Sequence, residues 1–283
     1  LVKTWAMRGT LHLLPASELP MWHAAFSTYE HFLKGSWLRN FGFTTAAEVE
    51  RLIDVIGQAL EGRELTREEL AATVAEITGD DALTEHLRES WGATLKPAAF
   101  RGRLVFAPSS GQNVRFTRPP DAERPPVDEA IAEVTRRYLA AYAPARREDL
   151  SRWWGGGNVL SAAKAQKRFE VLGDEAVEVR VGGERCWVLA ADVDALAAAE
   201  PEGVARLVPL FDQYTVNSNR GVEALLPQER RDAVFRQAGW ISPVILVDGA
   251  IAGVWKHERQ GATVQVQLSL FTELPGWAVP PPE

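Results

Sequence analysis

The sequence predicts an α+β protein in which two runs of three short helices, each followed by a β-hairpin, precede a C-terminal β meander. Three observations carry that expectation. Threonine-led capping boxes stand ahead of apolar residues at helical spacing, strand-like runs flank turn clusters at two places, and the chain changes character from Val204 and leads into three β-patterned runs from Ile241.

Near the start, "TWAMRGTLHLLP" (Thr4 to Pro15) reads as strand from an edge hairpin or wing, with alternation placing Arg8, Thr10 and His12 on one face. Ser17 to Leu33 has the mixed apolar and aromatic character of a packed helix, and Gly35 to Thr44 reads as a loop. Thr45 with Glu48 caps a helix whose Val49, Leu52, Ile53, Ile56 and Leu60 point inward. Thr66 with Glu69 caps the next, carrying Leu70, Val74 and Ile77 and stopping at Gly79. Short helices around Leu83 to Trp91 and Leu95 to Gly102 follow. A hairpin then pairs Leu104 to Ala107 with Val114 to Thr117 across a Pro/Ser/Gly/Asn turn. Three helices and a hairpin make a winged helix.

The order recurs after the proline-rich Pro119 to Pro126. Helices are expected around Ile131 to Leu139, Arg147 to Trp154 and Leu160 to Leu172, the last behind the triple glycine Gly155 to Gly157, which permits a sharp bend. A hairpin then turns at Gly182-Gly183. Beyond it, a loop-like "LVPLFDQYTVNSNR" and a short polar helix near Pro227 to Gln237 lead into β runs at Ile241 to Val247, Ile251 to His257 and Thr263 to Phe271. These turn at Asp248-Gly249 and Gln260-Gly261. The expected division is therefore 1–62 (remainder of a first winged helix with connecting helices), 63–120 and 125–200 (tandem winged-helix modules) and 201–283 (β-rich domain).

Composition narrows the function. With 283 residues and 46% apolar content the chain can bury several cores. No apolar run approaches the roughly 20 residues of a membrane span, and no signal pattern opens the chain. Cys186 stands alone, which fits a reducing compartment, and five scattered histidines lack metal-ligand spacing. The triple glycine lacks the Lys-Ser/Thr of a phosphate loop, and "APSSGQ" is not a nucleophile elbow. These features predict a cytoplasmic, nucleoid-associated monomer with no metal and no cofactor.

The net charge of −7 is unevenly spread. Lys96, Arg101, Arg103, Arg115 and Arg118 occupy a window with no acid. Arg136 to Arg168 holds eight basic residues against Glu148 and Asp149, which leaves −18 for the remainder. Each basic window coincides with one helix-and-hairpin module. Lys96, Arg101, Arg103, Asn113, Arg115 and Arg118 in the first, with Lys164, Lys167 and Arg168 in the second, are thus expected to grip the phosphates of double-stranded DNA. A solvated cationic face balancing the acidic remainder is the simpler alternative. His12 and Asp212 have ordinary roles open to them as well, a structural histidine and a turn cap.

Three stretches, "TWAMRGTLHLLP", "PLFDQYTVNSNR" and "GWISPVILVDGAIAGVW", resemble in order and spacing the AlkZ/YcaQ-like family of bacterial winged-helix DNA glycosylases. The resemblance implies hydrolysis of the N-glycosidic bond of alkylated purines in duplex DNA, with Arg8, His12 and Asp212 near the lesion. It also implies a Gln-x-Gln or Gln-x-Asp motif ahead of the "RGTLH" segment, so that no residue of this chain inherits the water-positioning role. "QVQ" at Gln265 to Gln267 has the right letters on the wrong element, a late β run. The alternative to an enzyme is a non-catalytic winged-helix regulator or lesion sensor, since tandem winged helices suffice for DNA binding.

Overall fold

The computed structural model describes residues 1–89, 92–217, 222 and 225–278; among them the chain is an α+β protein with several small antiparallel sheets. It divides into two compact units, 1–191 and 192–283.

The first unit opens on hairpin β1 (Val2–Trp5) and β2 (Leu11–Leu14), with Thr4 opposite His12. The chain reverses through a 3₁₀ turn at Met7–Gly9, where Arg8 has φ 60° and Gly9 φ 65°. Arg8 therefore lies on the turn, and the expected common strand face of Arg8, Thr10 and His12 does not form. The expected helix over Ser17 to Leu33 is likewise interrupted. Helix α1 (Leu19–Phe26) ends where the Ser27 and Thr28 hydroxyls donate to the carbonyls of Ala24 and Ala25, at 2.7 and 2.8 Å, and only a 3₁₀ turn at His31–Leu33 resumes. The expected loop after it contains helix α2 (Gly35–Asn40).

Helix α3 (Ala46–Ala59) starts at the Thr45 cap, whose hydroxyl accepts from the Glu48 amide. Strand β3 (Leu65–Thr66) leads into α4 (Arg67–Thr78), which has a reciprocal Thr66–Glu69 capping box and a left-handed Gly79 at its end. Then come α5 (Asp81–Glu89), α6 (Lys96–Phe100), β4 (Val105–Ser110) and β5 (Asn113–Thr117); Trp91, the expected end of α5, lies outside the described residues. The sheet order is β3-β5-β4, so a two-residue strand too short to show alternation extends the expected hairpin.

The grammar repeats in α7 (Val127–Tyr142), α8 (Arg147–Trp154), α9 (Ala162–Val171), β6 (Ala176–Val181) and β7 (Glu184–Leu189), turning on Gly182 and Gly183 at φ 58° and 85°. Both copies share one core. Phe26, Tyr29, Phe32 and Phe100 pack with Trp154 and Phe169, all of them essentially fully buried.

In the second unit, α10 (Val193–Ala197), α11 (Gln213–Asn217) and α12 (Arg231–Val234) accompany a four-stranded sheet of order β11-β10-β9-β8. Its strands are β8 (Ala205–Val208), β9 (Val244–Val247), β10 (Ala250–Gln260) and β11 (Thr263–Leu270). The meander is as expected, with Asp248 and Gly249 at φ 46° and 84° in its first turn. The second half of strand β8, Leu207 and Val208, falls in sequence read as loop, because pairing with β9 from a distant part of the chain organises it. Leu226, Val234, Ile241, Val244 and Ile251 form the small core. Beyond Trp255 both faces of the β10–β11 ribbon are exposed.

Candidate functional site

The basic windows are largely neutralised in three dimensions. Arg101 lies 3.3 Å from Glu50 and donates to the Ser27 carbonyl at 2.7 Å, while Arg103 lies 3.6 Å from Asp54. Arg115 pairs with Glu64 at 2.9 Å, and Arg118 with Asp121 at 2.6 Å and Glu61 at 3.5 Å. These acids lie outside the window in sequence, and most belong to α3 or the segment after it, which fold against α6 and the β4–β5 hairpin. Each of these four arginines, expected to contact phosphates, thus has a carboxylate beside it.

The second window behaves alike. Arg136 and Arg137 share Glu133 and reach Glu175 and Glu18. Arg146 and Arg152 converge on Asp149, and Arg147 pairs with Glu148. Arg168, also expected at phosphates, is placed differently. It is 9% exposed, stacks 4.6 Å over the Trp154 ring and has Nη2 3.4 Å from the Thr28 hydroxyl, so it faces the core. Burial pushes its guanidinium down to about 10. The spacing Ala165, Arg168, Phe169 is that of the inward face of α9, a signal present in the sequence. Lys164 and Lys167 fall on the exposed face and have no ion pair among the described residues. Asn113 is exposed where β5 leaves its turn. Lys96, half-buried at the start of α6, also has no carboxylate partner among the described residues, and burial lowers its pKa.

The second concentration of unusual geometry is the Arg8 turn. A non-glycine residue at positive φ costs on the order of 1–3 kcal/mol and persists only where its surroundings hold it. Here the Ala6 amide donates to the Thr10 carbonyl and the Gly9 amide to the Ala6 carbonyl, both at 2.9 Å. The Arg8 amide donates to the hydroxyl of Tyr29, whose own proton goes to the Trp154 carbonyl. Tyr29 thus joins the turn, the end of α1 and the end of α8. Sequence reasoning missed it, since its partner lies 125 residues away. Gly9 completes the turn: a Cβ there would come within 3.3 Å of Lys96 Cδ and 3.4 Å of its Nζ. Gly9→Ala is expected to cost about 1–2 kcal/mol from the left-handed backbone alone, measurable as a lowered urea midpoint at unchanged slope.

His12, partly buried, accepts or donates through Nδ1 at 3.0 Å from the Thr10 carbonyl; a neutral ring donates there. Burial first, and Arg8 less strongly, hold its pKa down, against that hydrogen bond, which raises it. The ring is thus kept neutral with Nδ1–H fixed and Nε2 as the acceptor. Asp212 lies in the second unit and caps α11, its Oδ1 accepting from the Tyr214 amide at 2.9 Å. Gln265 and Gln267 sit on the exposed β11, opposite Glu258 and Lys256. Among the described residues no His, Cys, Asp and Glu cluster could hold a metal, and no helix is long and apolar enough to cross a membrane.

Comparison with known proteins fits this architecture. Residues 1–276 match the family model described as DNA glycosylase AlkZ-like. An interstrand DNA cross-link repair glycosylase of Streptomyces sahachiroi is 40% identical over 270 residues, 93% of this chain and 72% of that protein. The solved structure of Streptomyces sahachiroi DNA glycosylase AlkZ superposes with a TM-score of 0.87 at 39% identity, over 97% of this chain and 75% of that one. Family match, identity and superposition each extend over nearly the whole chain, and the chain belongs to the AlkZ-like DNA glycosylase family.

Proposed function

We propose that this chain hydrolyses the N-glycosidic bond of alkylated purines in duplex DNA, as a monofunctional glycosylase. The observation that carries the reading is the family match across residues 1–276, which includes the strained Arg8 turn and His12. A purine alkylated on its imidazole ring is cationic and leaves readily. The work left to the protein is to stabilise an oxocarbenium-like sugar and orient water. A cross-link that joins two strands through alkylated purines presents the same bond, so the name of the Streptomyces sahachiroi relative supports this substrate class. Water positioning falls to residues other than Gln265 and Gln267, which share an exposed ribbon in the second unit.

DNA contact follows from reading α4, α5, α6 with β4–β5, and α7, α8, α9 with β6–β7, as two winged-helix modules. In that reading Lys164 and Lys167 on α9 and Asn113 on the β4–β5 hairpin touch backbone. Lys164→Ala with Lys167→Ala is expected to weaken duplex binding and reduce the slope of log K against log salt by about two. Arg101→Ala with Arg103→Ala is expected to leave that slope alone, since Glu50 and Asp54 already balance both. The reverse pattern would relocate the DNA face to α6.

The test of the whole reading is base release. A duplex carrying an N7-alkylguanine is incubated with the protein, abasic sites are cleaved with alkali, and the shortened strand is sought. Product supports the glycosylase; salt-dependent binding without product favours a lesion sensor or regulator instead.

A further inference from the structure

A cavity of about 280 Å³ opens beside the Arg8 turn, lined by Arg8, Gly9, Tyr29, His31, Lys96 and Asn158, with the rings of Phe32, Trp37, Phe41 and Phe100 in its wall. No aspartate or glutamate is among the described residues that line it. That composition departs from the rest of the molecule. Acids outnumber bases 38 to 31 in the chain, and the arginines of both basic windows, apart from core-facing Arg168, are met by carboxylates.

Two groups here need a partner they do not have. Lys96 is half-buried against Gly9, with no carboxylate within salt-bridge distance among the described residues. The Nδ1 atom of His31 is inaccessible to solvent and has no hydrogen-bond partner there. Lys34, exposed and outside the lining, lies near His31, its Nζ donating to the Asn158 carbonyl at 2.7 Å. Positive charges beside a partly apolar pocket repel, and half-buried Lys96 has given up water to be there; burial, then the charges of Lys34 and Lys96, hold the His31 pKa down. An entering anion reverses both costs, and aromatic walls strengthen its attraction to the cations by lowering the local dielectric.

The geometry points to an anion site in this cavity that takes a phosphate group, held by Lys96, with the Arg8 side chain at its edge and the His31 ring in its wall. The strained turn then has a reason: it places Arg8 and Gly9 so that the lysine crosses the glycine and reaches the cavity. A phosphate has two possible sources, the backbone of bound DNA or a free phosphate compound. The site itself does not rest on the base-release reading.

The experiment is a titration of the whole chain with inorganic phosphate at constant ionic strength, sodium chloride balancing the salt, followed by the NMR signals of the Gly9 amide and the His31 ring. The expected result is a saturable shift of both, weakened about tenfold or more by Lys96→Met and retained by Lys96→Arg. Lys256→Met, an exposed lysine of the second unit, should change nothing. A short unmodified duplex is then added to the phosphate-loaded protein. Displacement of phosphate assigns the site to the DNA backbone; simultaneous binding, with the cavity signals still reporting phosphate, assigns it to a free compound. No shift beyond that given by chloride, or an equal shift in folded Lys96→Met, overturns the proposal. Base release is read separately, so a failed glycosylase assay leaves this outcome intact.

Discussion

Trp154→Ala lowers the unfolding free energy of the first unit by an expected 3–5 kcal/mol, roughly the range for emptying a large aromatic site. The indole is fully buried and meets the rings of Phe26, Tyr29 and Trp153 at 5.4, 5.1 and 5.9 Å. It is also the surface on which Arg168 stacks. Alanine keeps the backbone carbonyl that accepts from Tyr29, so the substitution isolates the ring from the hydrogen bond. What is lost is packing around a cavity, together with the cation–π contact of a guanidinium whose Nη1 already lacks a hydrogen-bond partner among the described residues. Urea unfolding followed by far-ultraviolet circular dichroism measures the loss. A change below about 1 kcal/mol would mean that the site closes up, and that Trp154 does not tie the two helical copies together.

His23 makes the first unit sensitive to acid. It is 5% exposed, its Nε2 has no partner among the described residues, and Arg124 stands nearby. Burial, with Arg124 second, pushes its pKa to about 4. In the unfolded chain the value is about 6.5. Above pH 6.5 the ring is neutral in both states and costs nothing. As pH falls from about 6.5 to 4 the unfolded state takes up the proton first, so stability drops, by about 3 kcal/mol in all. His23→Gln removes that component. The wild-type protein should lose more stability than the variant over this window, measured by urea unfolding at a series of pH values. Parallel pH profiles would show that the imidazole is protonated inside the fold.

The elements most legible in the sequence were those with local chemistry. Thr45 and Thr66 announce their helices because a threonine hydroxyl and a glutamate three residues on satisfy amides within one turn. Gly182-Gly183 and Asp248-Gly249 announce hairpins because the turns need positive φ. Features set by distant partners were not legible. Strands β3 and β8 exist through pairing with β5 and β9. The candidate site divides the same way. Arg8 and His12 were found from their motif, whereas the charge of Arg101 or Arg115 could not be judged without Glu50 and Glu64, which only the fold brings near. Arg168 was recoverable, since its spacing to Ala165 and Phe169 marks the buried stripe. Tyr29 was not.

The β10–β11 ribbon has a thermodynamic consequence of its own. From Lys256 to Gln260 and from Thr263 to Leu270 the two strands hold each other through backbone hydrogen bonds, while their side chains are exposed on both faces. With so little apolar surface removed from water, opening this stretch requires much less free energy than unfolding the sheet from which it grows. Its amides should exchange with deuterium as one early group, while those of Ile251 to Trp255, flanked by β9, persist; the ribbon is the part of the second unit that comes apart and re-forms while the rest stays native.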